Sequence, residues 1–215
     1  MKLLTVGDSF TYGEELSNLQ LAWPYLLGDK LNARITNLGQ PAASNTNIIR
    51  KVVNFYYDYD VIVIAWSHYA RVEFADERGT YDIWPGSNEA VHDHYHFPHR
   101  KEVVRYITHH NNDLYAYQQY LINILLLQDF LKFNNKKYIM INAFGNESTK
   151  FLQIPNLKIL IDQVDTTYFL GWPHYQMQEW TWGSPQGPGG HFLEEGHQRV
   201  ADKIYEYIRY LGWIS

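Results

Sequence analysis

The chain has 215 residues, a formal net charge of −5 and no cysteine. The lack of cysteine excludes disulfide bonds, thiolate metal ligands and a cysteine nucleophile, and the lack of a basic run argues against nucleic acid as a partner. The apolar segment after Met1-Lys2 is too short for a signal peptide or a membrane span. We therefore expect a soluble protein of one domain, cytoplasmic where it is synthesised, with no membrane partner.

Predicted strands and helices alternate along the chain. Short apolar or β-branched runs predict four strands, and apolar residues at spacings of three and four predict four helices. This alternation indicates an α/β fold of three layers, α/β/α, with a central parallel sheet covered on both faces. The strands are predicted at 3–6, 34–38, 61–65 and 138–142, and the helices at 21–31, 46–57, 113–133 and 196–211.

Two stretches break this alternation. Residues 75–112 are polar, rich in His and Tyr and without a clear period, which indicates an insertion over one sheet edge, with a short hairpin as one form it could take. Residues 144–190 are ambiguous, and within them we predict a helix at 157–164 and a weak fifth strand at 168–170. The whole chain, 1–215, is therefore predicted to be a single domain with an insertion at about 75–112.

The insertion contains three histidines at alternate positions, His92, His94 and His96. On a strand they would project from one face, which is an arrangement that suits a metal ion. A solvated His-rich loop explains the same residues without a metal. Because the strand character of this segment is unproven, the loop is favoured, and no metal or cofactor is predicted.

The aromatic content is high, at 16%, with 18 tyrosines and 7 tryptophans. Two clusters, at 172–175 and 180–182, fall in sequence rich in Gly and Pro, where loops and binding residues concentrate. Such side chains can stack on sugar rings or form a protein interface, and they can equally belong to a tyrosine-rich core and surface. The sequence leaves these alternatives open.

A candidate nucleophile, Ser9, stands in Gly7-Asp8-Ser9 directly after the first predicted strand. The strand fixes the backbone, the glycine permits a tight bend, and the following N–H groups can point at a developing oxyanion. A serine hydroxyl also needs a base within hydrogen-bonding reach. His191, in Gly189-Gly190-His191 just before the last predicted helix, could meet Ser9 at the same edge of the sheet.

With these residues the chain resembles the SGNH, or GDSL-type, hydrolases. The segment 7–13 matches the family's first motif, and Asn37-Leu38-Gly39 followed by Ala43-Ser44-Asn45 matches the second. The likeness runs from the first strand to the last helix and implies a flavodoxin-like SGNH hydrolase fold. It also implies that Ser9 is the nucleophile and His191 the base, with backbone N–H groups of Ser9 and Gly39 in an oxyanion hole.

The chain departs from the family at two motifs. Where the family usually has Gly-x-Asn-Asp, this chain has Ala65-Trp66-Ser67-His68, so that Ser67 stands in place of the asparagine that supplies a third oxyanion donor. The Asp expected three residues before the histidine is Pro188. His191 could instead be oriented by a backbone carbonyl or by an acid from elsewhere, of which those nearby in sequence are Asp162, Asp165, Glu179, Glu194 and Glu195.

Other residues near these motifs have competing interpretations. His197 is a rival base, but a helix residue that faces solvent or core is the favoured interpretation. Arg71 could clamp a substrate or pair with Glu73 in a structural salt bridge. Substrate contacts are predicted at Trp66, Arg71 and Trp182.

The favoured function is hydrolysis of acyl or acetyl esters by a Ser-His site that lacks the usual Asp. Carbohydrate esters, small or polymeric, are the favoured substrates because aromatic loops suit sugar rings. The rival is an SGNH-fold protein with weak or no catalysis that serves as a structural or binding component. Trp66-Ser67, Arg71-Val72-Glu73 and the Gly-Gly-His ending resemble hydrolase-like proteins of tailed bacteriophages, which implies virion association, and a homo-oligomer or virion assembly, as alternatives.

Overall fold

The structure is a computed structural model that describes residues 1–77, 79–84, 112–144 and 151–214, together with positions 102, 103, 105 and 109. Six strands are described: β1 (Lys2–Val6), β2 (Arg34–Asn37), β3 (Val61–Trp66), β4 (Val72–Asp76), β5 (Gly79–Ile83) and β6 (Lys137–Asn142). Four of them form a parallel sheet in the order β2-β1-β3-β6, while β4 and β5 form an antiparallel hairpin. This arrangement confirms the predicted α/β fold with a central parallel sheet, and its strand order agrees with the flavodoxin-like fold that the resemblance implies.

Helices cover both faces of the sheet. The α-helices whose bounds the structure describes are α1 (Ser9–Tyr12), α2 (Trp23–Lys30), α3 (Asn45–Phe55), α4 (Asp113–Phe133), α5 (Pro155–Gln163), α6 (Met177–Trp180) and α7 (Glu194–Tyr210). Alternate side chains of β3 point to opposite faces, as the pleat of a strand requires. Ile62 and Ile64 pack with α3, α4 and α5, whereas Val61 and Val63 pack with α2 and α7. All six residues of β3 are buried, which is why its sequence is a continuous apolar run.

The predicted fifth strand is reduced to a single bridge. Phe169 pairs with Met140 of β6, and the Leu170 N–H donates to the Met140 carbonyl oxygen at 2.9 Å. A 3-10 turn at Thr166–Tyr168 precedes this bridge, and Gly171 adopts a φ of 88° directly after it. The segment is therefore too short between its two turns to extend the ladder.

The hairpin β4–β5 is attached to the start of α3 through Asp82. The Asp82 carboxylate accepts the Ser44 N–H at 2.9 Å and the Asn47 side-chain amide at 2.7 Å. The hairpin begins at Val72, three residues before the predicted insertion, and most of the remaining insertion, His92, His94 and His96 included, lies outside the described residues. No helix in the described ranges has the length and apolar character needed to cross a membrane.

His197 has a structural place in this fold. Its ring is buried in α7, and Nδ1 accepts the Trp23 N–H at 3.1 Å. Ala22, the residue before α2, has no side chain that could accept this N–H, so the imidazole caps α2 from the neighbouring helix. Desolvation by burial, together with His191, lowers the pKa of His197 to about 3. The interpretation of His197 as a core-facing helix residue agrees with this position.

We predict that His197 makes the protein less stable in mild acid. The imidazole takes up a proton near pH 6.5 in the unfolded chain and only near pH 3 in the folded protein. The contribution of His197 to the free energy of unfolding is therefore complete above pH 6.5 and is lost as the pH falls. The loss is about 1.4 kcal/mol per pH unit, or about 2 kcal/mol between pH 6.5 and pH 5. We therefore expect urea unfolding to show that the free energy of unfolding of the wild type, relative to that of His197→Gln, falls by this amount between pH 6.5 and pH 5. A difference that stays constant with pH would contradict the assignment.

Candidate active site

A cavity of about 540 Å³ opens where the parallel strands end. Its wall is formed by residues that follow the carboxyl ends of different strands, which is the usual location of sites in open α/β sheets. A volume of this size fits a small-molecule ligand. The lining residues include Ser9, Ala42, Arg71, Trp84, Phe144 and His191.

Ser9 is the first residue of α1, immediately after the turn that follows β1. Asp8 caps this short helix by accepting the Phe10 N–H on its side chain at 3.1 Å. Gly7 is required in the turn, because a Cβ there would lie 2.1 Å from the Thr11 hydroxyl and 2.9 Å from the Ala65 Cβ. The turn thus holds Ser9 at the cavity wall, as the sequence motif predicts.

His191 is oriented by Glu15, which the sequence analysis did not select. The His191 Nδ1 lies 2.9 Å from Glu15 Oε2, and the His191 backbone N–H donates to the same oxygen at 3.1 Å. Gly189 N–H donates to Glu15 Oε1 at 2.7 Å. Since an ionised carboxylate can only accept, Nδ1 carries the proton and Nε2 is the nitrogen able to act as a base.

The loop 187–191 is built around this carboxylate. A Cβ on Gly187 would lie 2.6 Å from the Glu15 Cδ, so only glycine allows the chain to approach so closely. Glu15 itself adopts a φ of 69°, a left-handed conformation that is uncommon for a residue with a side chain. The hydrogen bonds from Gly189 and His191 lower the pKa of Glu15, which keeps the carboxylate charged in mild acid.

The acids near His191 in sequence make other contacts. Asp162 pairs with Lys158, Asp165 with Lys132, and Glu195 with Arg199, while Glu179 accepts the Gln176 N–H. The described contacts of His191 include none of these residues, nor Glu194. The one sequence signal for Glu15 is the run of glycines around Pro188, which leaves room for a carboxylate from another segment.

Glu14 also approaches His191, from the cavity side. Its Oε2 lies 3.5 Å from Nε2, and its side chain is 40% exposed. Ser9 and His191 line the same cavity, but in the described part of the chain the Ser9 hydroxyl has no hydrogen-bond partner. The imidazole ring is held against Phe10, with ring centroids 4.9 Å apart.

The predicted oxyanion donor Gly39 is not at the cavity. Its N–H donates to Asn37 Oδ1 at 2.9 Å, so the group is used within its own loop. Ala42, three residues later, lines the cavity and adopts a φ of 62°, which is uncommon for a residue with a side chain. Among the described residues no acceptor bonds the N–H groups of Ser9 or Ala42, and both remain available for an oxyanion.

Ser67 is buried and its hydroxyl is occupied, in contrast to the predicted donor role. It accepts a hydrogen bond from Arg71 Nη1 at 2.8 Å and contributes a hydrogen bond to the Asp8 carboxylate. Arg71 Nη1 also lies 3.3 Å from Asp8 Oδ2, and Glu73 pairs with Arg50 rather than with Arg71. Burial raises the pKa of Asp8, while Arg71 and then Ser67 act in the opposite direction.

The structure places the two predicted tryptophan contacts differently. Trp66 is fully buried, and its indole packs edge-on against Tyr120, so it cannot touch a ligand in the cavity. Trp182 is 85% exposed and lies outside the cavity lining, although Gln178 of the adjoining α6 is part of that lining. Among the described residues, the phenylalanine and tryptophan rings that line the cavity are Phe10, Trp84 and Phe144.

A family model covers most of the chain: DUF6071, described as a family of unknown function, matches residues 13–215. The chain belongs to the DUF6071 family. A search by sequence against curated proteins finds no match.

Solved structures show which fold this DUF6071 member has. An esterase, EstA, from Pseudoalteromonas sp. is 12% identical, with a TM-score of 0.58 and 99% of each chain covered. A G-D-S-L family lipolytic protein from Desulfitobacterium hafniense DCB-2 is 13% identical, with a TM-score of 0.57 over 96% of this chain and 98% of that one. A carbohydrate esterase family 2 enzyme from Corynascus is 13% identical, with a TM-score of 0.55, and the match covers 99% of this chain and 67% of that one. The DUF6071 chain therefore has the SGNH hydrolase fold.

The contacts of Glu15 predict how its loop responds to mutation. Glu15→Ala removes the acceptor of three N–H groups, so we expect the backbone amides of Gly189 and His191 to exchange with deuterium at least roughly tenfold faster. Glu14→Ala is the matched control, since Glu14 accepts no backbone N–H from this loop. Hydrogen exchange measured by NMR on both variants tests this prediction. Equal protection of these amides in Glu15→Ala and in the wild type would contradict the role of Glu15 in holding the loop.

Proposed function

We propose that the chain is a serine ester hydrolase in which Ser9 is the nucleophile, His191 the general base and Glu15 the acid that orients it. The observation that carries this proposal is the 2.9 Å contact between Glu15 Oε2 and His191 Nδ1 beside a cavity that Ser9 lines. Glu15 would then do what the missing Asp at position 188 does in related sites. The acid fixes the tautomer of the imidazole and stabilises the imidazolium that forms during the reaction.

Acylation would begin when Ser9 Oγ attacks the carbonyl carbon of the bound ester. The hydroxyl proton passes to His191 Nε2, and the carbonyl oxygen becomes an oxyanion as the tetrahedral intermediate forms. The imidazolium then gives this proton to the leaving oxygen, the alcohol departs, and the acyl group remains on Ser9. The hydrogen bond between Ser9 and His191 that this step needs is absent from the free protein, and such bonds often tighten only when substrate binds.

Deacylation would repeat the same proton transfers with water. His191 Nε2 takes a proton from the water that attacks the acyl carbon and returns it to Ser9 Oγ, which releases the carboxylic acid. In both half-reactions the N–H groups of Ser9 and Ala42 would donate to the oxyanion. Ala42 replaces Gly39 in this role because the Ala42 N–H has no acceptor among the described residues, whereas the Gly39 N–H already has one.

The substrate class that we propose is an acyl or acetyl ester of a carbohydrate. Trp84 and Phe144 line the cavity, and aromatic faces pack well against sugar rings. Trp182 is exposed next to α6, where it could contact a longer chain that leaves the cavity past Gln178. The structural likeness to a carbohydrate esterase is consistent with this class. The proposed steps involve no cofactor.

A second candidate function is a binding or structural component that keeps the fold with weak catalysis or none, such as part of a phage virion. One observation favours it: the Ser9 hydroxyl is not engaged by His191, and the Nε2 that should face it lies 3.5 Å from Glu14. A base turned toward another carboxylate is less able to activate the serine. Covalent labelling separates the two candidates.

We predict that a fluorophosphonate probe labels Ser9 with one equivalent per chain. The probe needs an activated serine, so Ser9→Ala and His191→Ala should both remain unlabelled by intact mass. Circular dichroism checks that the variants are folded. No label on folded wild type, at a concentration that fully labels a control hydrolase, would reject the esterase and favour the binding component.

We also predict that Glu15→Gln lowers kcat on an acetyl ester by about a hundredfold to ten-thousandfold. The amide can donate to Nδ1 and so favours the tautomer that carries its proton on Nε2, which cannot act as a base. Glu14→Gln makes the same chemical change one residue away and should alter kcat by less than about tenfold, because Glu14 does not contact Nδ1. Equal losses in the two variants would exclude Glu15 as the orienting acid.

A further inference from the structure

Arg71 is a buried cation in the wall of the cavity. Its side chain is 6% exposed, yet it lines the cavity together with Ser9 and His191. A guanidinium carries five N–H donors, and burial makes each unbonded donor costly. The way in which its three nitrogens are used therefore indicates what the residue does.

One nitrogen, Nη1, is fully used by the protein. It donates to Ser67 Oγ at 2.8 Å, and it lies 3.3 Å from Asp8 Oδ2 and 3.4 Å from the Ala43 carbonyl oxygen. Asp8 is the residue before Ser9, and Ala43 is the residue after Ala42. Nη1 therefore bridges the two backbone segments that carry the proposed oxyanion donors.

The other two nitrogens have no protein acceptor in the part of the chain that the structure describes. Nε is buried without a partner. Nη2 is the amino group that remains, and Arg71 lines the cavity. Two aromatic rings lie beside the guanidinium, since Cζ is 5.2 Å from the ring centroid of Trp84 and 4.9 Å from that of Phe144.

The charge of Arg71 is only loosely matched. Charge-assisted N–H···O bonds are normally about 2.7–2.9 Å long and often bidentate. The contact with Asp8 is single and 3.3 Å long. Among the described residues, the two acids that line the cavity have other partners, since Asp82 accepts the Ser44 N–H and the Asn47 side-chain amide, and Glu14 lies 3.5 Å from His191 Nε2. The guanidinium can therefore attract a negative charge that develops in the cavity.

We infer that Arg71 is a catalytic residue whose Nη2 donates to the oxyanion formed on the substrate. It would take the place of the side-chain donor that Ser67 cannot provide, because the Ser67 hydroxyl is buried between Arg71 and Asp8. In this role Arg71 only donates a hydrogen bond, so the proton transfers between Ser9 and His191 are unchanged. This inference rests on the proposed esterase function and adds a cationic donor to its oxyanion hole.

The test compares Arg71→Met with the wild type on two esters of the same leaving group. One is the uncharged 4-nitrophenyl acetate, and the other is a 4-nitrophenyl succinate monoester, whose acyl group carries a carboxylate. Loss of an oxyanion donor lowers kcat by about a hundredfold to a thousandfold. We expect this loss on both esters, with KM changed less than about threefold.

Two results would overturn the inference. Arg71→Met could be as active as the wild type on the acetate, which would show that Nη2 does not contact the oxyanion. The loss could also be confined to the KM of the succinate monoester, which would make Arg71 a binding site for a substrate carboxylate. A wild type that is inactive on both esters would overturn the proposed function and this inference together, so the two failures are distinguishable.

Two further variants keep the test decisive. Arg71→Met leaves the Asp8 carboxylate buried without its cation, and the double variant Asp8→Asn/Arg71→Met avoids that unpaired charge while still lacking Nη2. We expect the double variant to fold and to show the same loss of kcat, and full activity in it would also overturn the inference. Arg50→Met removes one positive charge from an exposed pair with Glu73, outside the cavity, and should leave both esters unaffected.

Discussion

The carboxylate of Glu15 joins two parts of the chain that are about 175 residues apart, and the arrangement of the cavity depends on it. It accepts N–H groups from Gly189 and His191, which lie 174 and 176 positions later. The loop 187–191 has no regular secondary structure of its own to hold an imidazole in one orientation. By bonding two backbone N–H groups and Nδ1 together, one side chain fixes the loop, the ring and the tautomer.

The sheet supplies the frame for this contact. Because β1 and β3 are neighbours in a parallel sheet, the residues that follow them, Ser9 and Ser67, emerge at the same edge. The segment after β2 adds Ala42, and the loop that precedes α7 adds His191 from the last part of the chain. Ser9, Ala42 and His191 therefore line one cavity although they come from distant parts of the chain.

A second buried contact organises the opposite side of the cavity. Arg71 touches Asp8, Ser67 and the Ala43 carbonyl, and thereby links the ends of β1, β2 and β3 around one guanidinium. A buried ion pair seldom adds much net stability, because desolvation offsets the attraction between the charges. Its effect here is positional, since the contacts of Nη1 join the segments that carry Ser9 and Ala42.

The sequence by itself determined the alternation of strands and helices and indicated Ser9 and His191 as candidates, because apolar periodicity and short motifs are local properties. The strand order was expected only from the resemblance to the SGNH hydrolases. It also indicated that a residue other than an Asp at position 188 must orient His191. Only the tertiary structure decided which residue, since Glu15 reaches the imidazole through a left-handed backbone and a glycine loop that no local pattern predicts. In the same way, only the tertiary structure shows that Trp66 is buried away from the cavity. It also shows that the Gly39 N–H is bonded to Asn37 and that the Ser67 hydroxyl is bonded to Arg71. Residue type follows from sequence, but whether an N–H or hydroxyl is free for chemistry depends on which neighbours folding brings to it.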